Sequence, residues 1–281
     1  MKTAWIFPGG SARAVYTAGV VYALSEMNIP KPEIIIGCSG SAPTCLCYLA
    51  EQKEVLKSGW CDSLVQGKFL NLWRFWKMLD VDYMVYDILR DKLKLNTKKA
   101  GESSVIGYFP LTNSTTGEIE YLSNKQNLDL FKVARASVSV PFWTNLFSTA
   151  GVPINGKYYS DSSPASRFQI HIEKAILEGA DRIIVFDNWH KGDNPTGYFF
   201  SKLFLFSKNS AFRRRQREYF KKIKFFSVPK EIDFTLFTPQ DKLGMSRWND
   251  SLNNAKNIFC RGYEETINND KLKEIYESRR S

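Results

Sequence analysis

Histidine is nearly missing from this chain: His171 and His190 are the two among 281 residues. Acid–base chemistry through an imidazole has only those two sources. Cysteine is little better represented. Cys38, Cys45, Cys47, Cys61 and Cys260 are odd in number, lack the paired spacing of metal ligands, and leave four of the five near one end. They read as reduced thiols of a cytoplasmic protein, with no disulfide framework and no metal or other cofactor implied. No apolar run approaches the roughly 20 residues that cross a bilayer. Met1–Arg13 and the stretch V-Y-T-A-G-V-V-Y-A-L after it loosely imitate a secretion signal. Pro8-Gly9-Gly10 breaks the imitation before its apolar part, so secretion is not expected. Internal repeats and low-complexity linkers are missing too.

What is present fits a folded globular chain: 43% hydrophobic and 24% charged residues, over a length that supports one large domain or two small ones. Thr3–Phe7 (T-A-W-I-F) has the composition of a strand, and a Pro-Gly-Gly turn follows it. Val15–Met27 carries apolar residues at helical spacing. Glu33–Gly37 reads as a second strand and Ala42–Lys53 as a second helix. Strand–helix–strand–helix within about fifty residues implies parallel strands joined by crossovers, hence an α/β sheet. Further along, Asn71–Leu95 reads as a helix. Val105–Thr112 and Glu118–Leu122 flank N-S-T-T-G and read as a hairpin or two neighbouring strands. Leu128–Ala136 and Ile170–Glu178 read as helices, and Arg182–Asp187 as a buried strand. In the last third, Lys224–Val228 reads as a strand, with helices at Ser246–Tyr263 and Lys271–Ser278. The expected organisation is a catalytic region over 1–190, with 191–281 completing or capping the same domain.

One junction in this plan has chemistry in it. Ile34–Ala42 reads I-I-I-G-C-S-G-S-A, and Gly37-Cys38-Ser39-Gly40-Ser41 fits G-x-S-x-[G/S/A] where a strand gives way to a helix. Alone the match is weak, since Ser39 or Ser41 would also serve as a helix N-cap. A nucleophile turn, however, belongs at such a junction and demands small neighbours two residues either side, which Gly37 and Ser41 supply. The next helix would point its N-terminus at developing negative charge.

Gly9-Gly10-Ser11-Ala12-Arg13 follows the first strand. It lacks G-x-G-x-x-G, the second strand ends without an acid to bind a ribose, and no Gly-Lys-Ser/Thr follows, so dinucleotide and P-loop readings fail. What remains is a run of backbone N–H groups at the same sheet edge as Ser39, suited to an oxyanion hole. Asp161, in G-K-Y-Y-S-D-S-S, ends a strand-like run among turn-forming residues; turn chemistry alone would also explain it.

Taken in this order, these elements resemble the patatin-like phospholipases of the bacterial kind. Gly9-Gly10-Ser11-Ala12-Arg13-Ala14 is similar to their G-G-G-x-R-G turn, Gly37–Ser41 to their G-x-S-x-G, and Asp161-Ser162-Ser163 to their D-G-G or D-G-A. Thr115–Tyr121 and Arg135 through Pro141 also look like the family, so the likeness covers roughly residues 3–187. It implies a three-layer α/β/α sandwich around a mostly parallel sheet. It also implies a Ser39–Asp161 dyad without histidine, an oxyanion hole from Gly9, Gly10, Ser11 and Gly40, a loop-bracing role for Arg13, and an acyl-ester lipid such as a phospholipid as substrate. An aspartate near its reference pKa of about 3.9 is a weak base, so such a site has to raise its basicity by desolvation. Ser11, Ala14, Ser41 and Ser162 stand where the family has glycine. At Ser162 a turn needing positive φ would be strained by a side chain. The alternative is therefore a patatin-folded protein whose site has decayed and which binds anionic lipid or another polyanion.

The net charge of +10 is local. Tyr198–Phe226 holds nine Lys and Arg against Glu218 alone, interleaved with aromatics. A solvated helix face is the plain explanation, and nucleic acid would use the same charges with base stacking. Beside a lipid hydrolase, an anionic membrane is the better partner, contacted by Arg213, Arg214, Arg215, Arg217, Lys221 and Lys222. Asn71–Met78 reads equally as a second interfacial patch or as core. The expected location is cytoplasmic, peripheral on the inner face of the membrane.

Overall fold

The computed structural model describes residues 1–64, 69, 77–140, 144, 151–162, 167–191, 210–244 and 254–277. Its β-branched and aromatic runs form one eight-stranded sheet. The strands are β1 (Thr3–Phe7), β2 (Ile34–Gly37), β3 (Ile106–Asn113), β4 (Ile119–Ser123), β5 (Val152–Ile154), β6 (Lys157–Asp161), β7 (Arg182–Phe186) and β8 (Asp233–Phe237). Among these lie α1 (Ala14–Glu26), α2 (Ser41–Leu49), α3 (Lys53–Lys57), α4 (Thr97–Glu102), α5 (Leu130–Val138), α6 (Phe168–Leu177), α7 (Ser210–Lys224), α8 (Ala255–Ile267) and α9 (Asp270–Glu277).

The sheet order is β5-β6-β3-β2-β1-β7-β8, with β4 also paired to β3. From β3 through β8 along this path the pairing is parallel; β4, β5 and β6 join antiparallel. Alternation along each strand sorts side chains between the two faces. Trp5, Phe7, Ile35, Ile184 and Phe186 enter the core shared with α1, α2, α5, α8 and α9. Ala4, Ile6, Ile34, Ile36, Ile183 and Val185 enter a second core with Ile172 and Ala175 of α6. Both faces are covered, which is why these strands read as continuous apolar runs. Each fully buried isoleucine contributes about 2 kcal/mol of hydrophobic stabilisation.

The C-terminal helices are built into the first core. Gly19 on α1 and Gly262 on α8 let the two backbones touch: an added Cβ at Gly19 would lie 2.0 Å from the Phe259 carbonyl oxygen, and one at Gly262 would lie 2.3 Å from that of Tyr16. The Tyr16 hydroxyl donates to Glu265 at 2.8 Å, and the Trp5 indole N–H donates to the Tyr276 hydroxyl at 2.8 Å.

One pairing decides where the site forms. β4 lies along β3 from Tyr108 to Thr112, so it takes up one edge of that strand. Both β2, paired at Ile106–Tyr108, and β6, paired at Leu111–Asn113, must then share the other edge. β2 runs parallel to β3 and β6 antiparallel, so their C-terminal ends face each other across the short interval between Tyr108 and Leu111.

Several expected elements shift. The second helix stops at Leu49, where Glu51 takes φ 54°, and α3 is separate. Within the expected helix Asn71–Leu95, residues 71–76 lie outside the described ones; 77–80 are not helical, and Tyr83–Lys92 forms a wide π-type helix. Lys224–Val228 is not a strand: α7 runs to Lys224, and the strand comes later as the alternating D-F-T-L-F of β8. For the helix expected at Ser246–Tyr263, residues 246–253 lie outside the described ones, Asn254 is the N-cap, and Ala255 onward belongs to α8. Among the described residues, no helix is long and apolar enough to cross a membrane.

Candidate active site

β2 ends at Gly37, and the Cys38 N–H donates to the Phe7 carbonyl at 3.0 Å, continuing the ladder with β1. The chain then turns sharply. Ser39 takes φ 51°, the left-handed region, which an L-residue other than glycine, Asn or Asp seldom adopts without support. That support is close packing. A Cβ on Gly37 would lie 2.6 Å from Cys45 Sγ, and one on Gly40 would lie 2.9 Å from the Ala14 Cβ and 3.0 Å from the Ser11 carbonyl oxygen. α2 begins at Ser41, placing Ser39 at the apex of a strand–turn–helix. Ser41 itself is buried and its hydroxyl donates to the Pro8 carbonyl at 2.8 Å, so a serine in that place ties the two turns together.

Asp161 is the last residue of β6 and is fully buried. Its N–H donates to the Ser139 carbonyl at 3.1 Å, and its Oδ2 accepts the Ser39 hydroxyl at 2.5 Å. The meeting follows from the shared edge of β3: Asp161 sits opposite Leu111, while Ile36 sits opposite Tyr108. The Ser137 hydroxyl donates to the Ser39 carbonyl at 3.3 Å, bracing the turn from α5. The strain expected at Ser162 does not arise, because Ser162 is not among the residues with positive φ. Its buried hydroxyl has no partner among the described residues, and Ser163 lies outside them.

The glycine-rich turn sits against this apex. Gly9 is buried and Gly10 half-buried; Ser11 takes φ 52° and opens a short 3-10 turn in which the Arg13 N–H donates to the Gly10 carbonyl at 3.0 Å. The Arg13 guanidinium lies over the Trp189 ring at 4.0 Å. The sequence reading missed Asp187-Asn188-Trp189, which leave β7 beside the end of β1. Three polar or amphipathic residues directly after a buried strand were the available signal, but their partners lie some 180 positions away.

Asp187 accepts the N–H groups of Asn188 and Trp189, and burial pushes its carboxyl up from 3.8 to about 6, with Arg167 and Arg13 pulling the other way. Between about pH 4 and 6 the native state therefore holds a proton that the unfolded chain has released. Stability from this group is fullest below pH 4 and is lost as pH rises through 6. Urea unfolding of parent and Asp187→Asn should diverge by about 1.4 kcal/mol per pH unit inside that window and run parallel above it. Parallel curves throughout would show that Asp187 titrates normally.

Neither histidine meets Ser39. His171 is fully buried on α6 with Nδ1 2.9 Å from the Tyr121 hydroxyl, and burial pushes its pKa down to about 3. His190 is half-buried beyond Trp189.

On α7 the expected basic contacts divide. Phe212 and Gln216 are buried, with Gln216 donating to the Gly117 carbonyl at 2.8 Å. Arg215 is engaged by Glu118 and Glu218, both at 2.8 Å, and Lys222 by Glu173 at 2.7 Å. Arg213 is half-buried. Arg214, Arg217, Lys221 and Lys224 are exposed and have no acidic partner among the described residues. Residues 198–209 of the expected basic segment, and 71–76 of the second patch, lie outside the described residues.

The profile of the patatin-like phospholipase family matches residues 6–172. Among solved structures, the crystal structure of VipD from Legionella pneumophila superposes with a TM-score of 0.50 at 12% identity, over 98% of this chain and 67% of that one, a likeness of fold alone. No curated protein matches in sequence.

Proposed function

Because the chain belongs to the patatin-like phospholipase family, we propose that it is a serine acyl hydrolase of the phospholipase A type, cleaving fatty acyl esters of membrane lipids through a Ser39–Asp161 dyad. The observation that carries this reading is the 2.5 Å hydrogen bond from a serine at φ 51° to a buried carboxylate. Ser39 Oγ attacks the ester carbonyl carbon while its proton passes to Asp161. The oxyanion is met by the N–H groups of Gly10, Ser11 and Gly40, at the start of α2. Collapse expels the alcohol, which takes the proton from Asp161 and leaves an acyl-Ser39. Water then attacks the acyl carbon, gives a proton to Asp161, and the fatty acid departs as Ser39 regains its hydrogen. Exclusion of water around Asp161 strengthens its pull on the hydroxyl.

A fluorophosphonate probe tests this, because only an activated serine is labelled. Labelling of the parent and none of Ser39→Ala is the expected result. An unlabelled, folded parent would favour the alternative, a patatin-folded binder of anionic lipid.

We take the substrate to be met at an anionic membrane through α7. Arg214, Arg217, Lys221 and Lys224 recur at helical spacing on its outer side, and Phe225 beyond them is 74% exposed. Each cation that reaches the surface is worth about 1 kcal/mol. Changing all four to Gln should weaken binding to anionic vesicles on the order of a hundredfold or more, leaving soluble-ester turnover intact. Arg215→Gln, by contrast, should keep vesicle binding and cost at most about 1 kcal/mol of stability through its exposed ion pairs. The parent's binding should fade toward 0.5 M salt as the Debye length falls to about half its physiological value. Vesicle binding by the quadruple variant at the parent's level would refute the assignment, and loss of nucleic-acid binding instead would name a different partner.

A further inference from the structure

We infer that Trp189, backed by Asn188, is the positioning residue that aims the Gly10 N–H at the developing oxyanion, an inference that rests on the hydrolase reading. A trans peptide is planar, so the direction of one carbonyl fixes that of the next residue's N–H. The Gly9 carbonyl accepts the Trp189 indole N–H at 3.3 Å. Holding that oxygen holds the Gly10 N–H pointing the opposite way. The Gly10 carbonyl is held in turn by the Arg13 N–H at 3.0 Å, which fixes the N–H of Ser11. Both proposed donors are thus set from behind, one by the 3-10 turn and the other by Trp189.

A 3.3 Å bond is slack by itself. The ring is steadied on its face by the guanidinium groups of Arg13 at 4.0 Å and Arg167 at 5.3 Å, and at its backbone by Asp187, which accepts the Trp189 N–H at 3.3 Å. Stacked cations hold a ring without competing for its N–H.

Asn188 closes the other direction. Its side chain is fully buried, and Nδ2 donates to the Pro8 carbonyl at 3.3 Å and to Thr17 Oγ1 at 3.0 Å, spanning the turn and α1. The Pro8 carbonyl also takes the Ser41 hydroxyl, so Asn188 grips the point where the glycine turn meets the nucleophile turn. Asn188 Oδ1 has no partner among the described residues and stands 2.2 Å from where a Gly10 Cβ would be. A buried acceptor without a donor is destabilising. Here it acts as a wall that keeps the turn from sliding toward β7.

Trp189→Phe is the decisive variant, since it deletes one N–H and keeps an aromatic ring for both guanidinium groups. On a soluble ester its kcat should fall about tenfold or more with KM within twofold, and its fluorophosphonate labelling should slow in parallel, because a misaimed donor harms the transition state and not substrate binding. The melting temperature should stay at the parent's. Asn188→Ala should lower kcat in the same way with some loss of stability; if it does not fold, Trp189→Phe decides alone. A parental kcat and labelling rate in Trp189→Phe, or a loss confined to KM or melting temperature, would overturn the inference while leaving the dyad standing. A folded parent that neither turns over ester nor labels would overturn both.

Discussion

Ser39→Ala and Asp161→Asn should each lose on the order of 10⁴-fold or more of turnover on a short acyl ester, because the proposed nucleophile and base would act as one unit. Ser39→Ala removes the attacking oxygen. Asp161→Asn should keep the shape of the buried side chain opposite Leu111 but would not receive a proton, so the Ser39 hydroxyl would be held without being activated. Histidine substitutions should behave differently. His190→Ala should keep most activity. His171→Ala should cost about 2 kcal/mol of stability through the space it leaves and the lost Tyr121 bond, yet turn over ester while folded. Circular dichroism separates the two kinds of loss. A drop of several orders of magnitude on either histidine substitution, with Asp161→Asn mild, would make this a triad hydrolase and remove the proposed mechanism.

Gly19→Val and Gly262→Val should each lower the melting temperature by about 10 °C or fail to fold. The atoms an added side chain would strike are backbone carbonyls, 2.0 Å and 2.3 Å away, so no rotamer change relieves the clash and α1 must part from α8. Overpacking against side chains costs about 1–3 kcal/mol, and against backbone the upper end applies. Total stability of a domain is about 5–15 kcal/mol, and 1 kcal/mol moves the melting point of a chain this size by about 2–4 °C. α1 starts where the glycine turn ends, so Ser39 labelling should fall with the fold. The same pair tests the proposal that 191–281 completes the domain of 1–190. If Gly262→Val melts with the parent and labels normally, the C-terminal helices are a separate unit.

Much of this arrangement was legible because its signals are local. β1 matches its expected limits, and the strand-to-helix junction at Ser39 is marked by β-branched residues running into small ones. The hairpin β3–β4 follows its turn residues in the same way. Trp189 could not be read, because its role arises only when β7 pairs with β1 and brings the Gly9 carbonyl within reach. The misread strand at Lys224–Val228 has a physical reason as well. Its aromatic pair splits, with Phe225 turned outward and Phe226 packed on the second core, so the local apolar count overstated burial. Charge on α7 was countable from the chain, but which cations are already answered by Glu118, Glu173 and Glu218 depends on packing.

The head-to-head arrangement of β2 and β6 along one edge of β3 makes that strand a ruler for the chemistry. The spacing between Ser39 and Asp161 is counted off in residues of a third segment that supplies neither. Each residue advances the strand by about 3.3 Å and turns alternate side chains to the opposite face. Adding or deleting one residue between Tyr108 and Leu111 would therefore shift Asp161 beyond hydrogen-bonding reach and point it into the wrong layer, however intact both strands remained. Phe109 and Pro110 fill that interval, where neither β2 nor β6 pairs, so the missing proline N–H costs no ladder bond on that edge. Redesign of such an enzyme has freedom in the connections around the site and almost none in the length of these two residues.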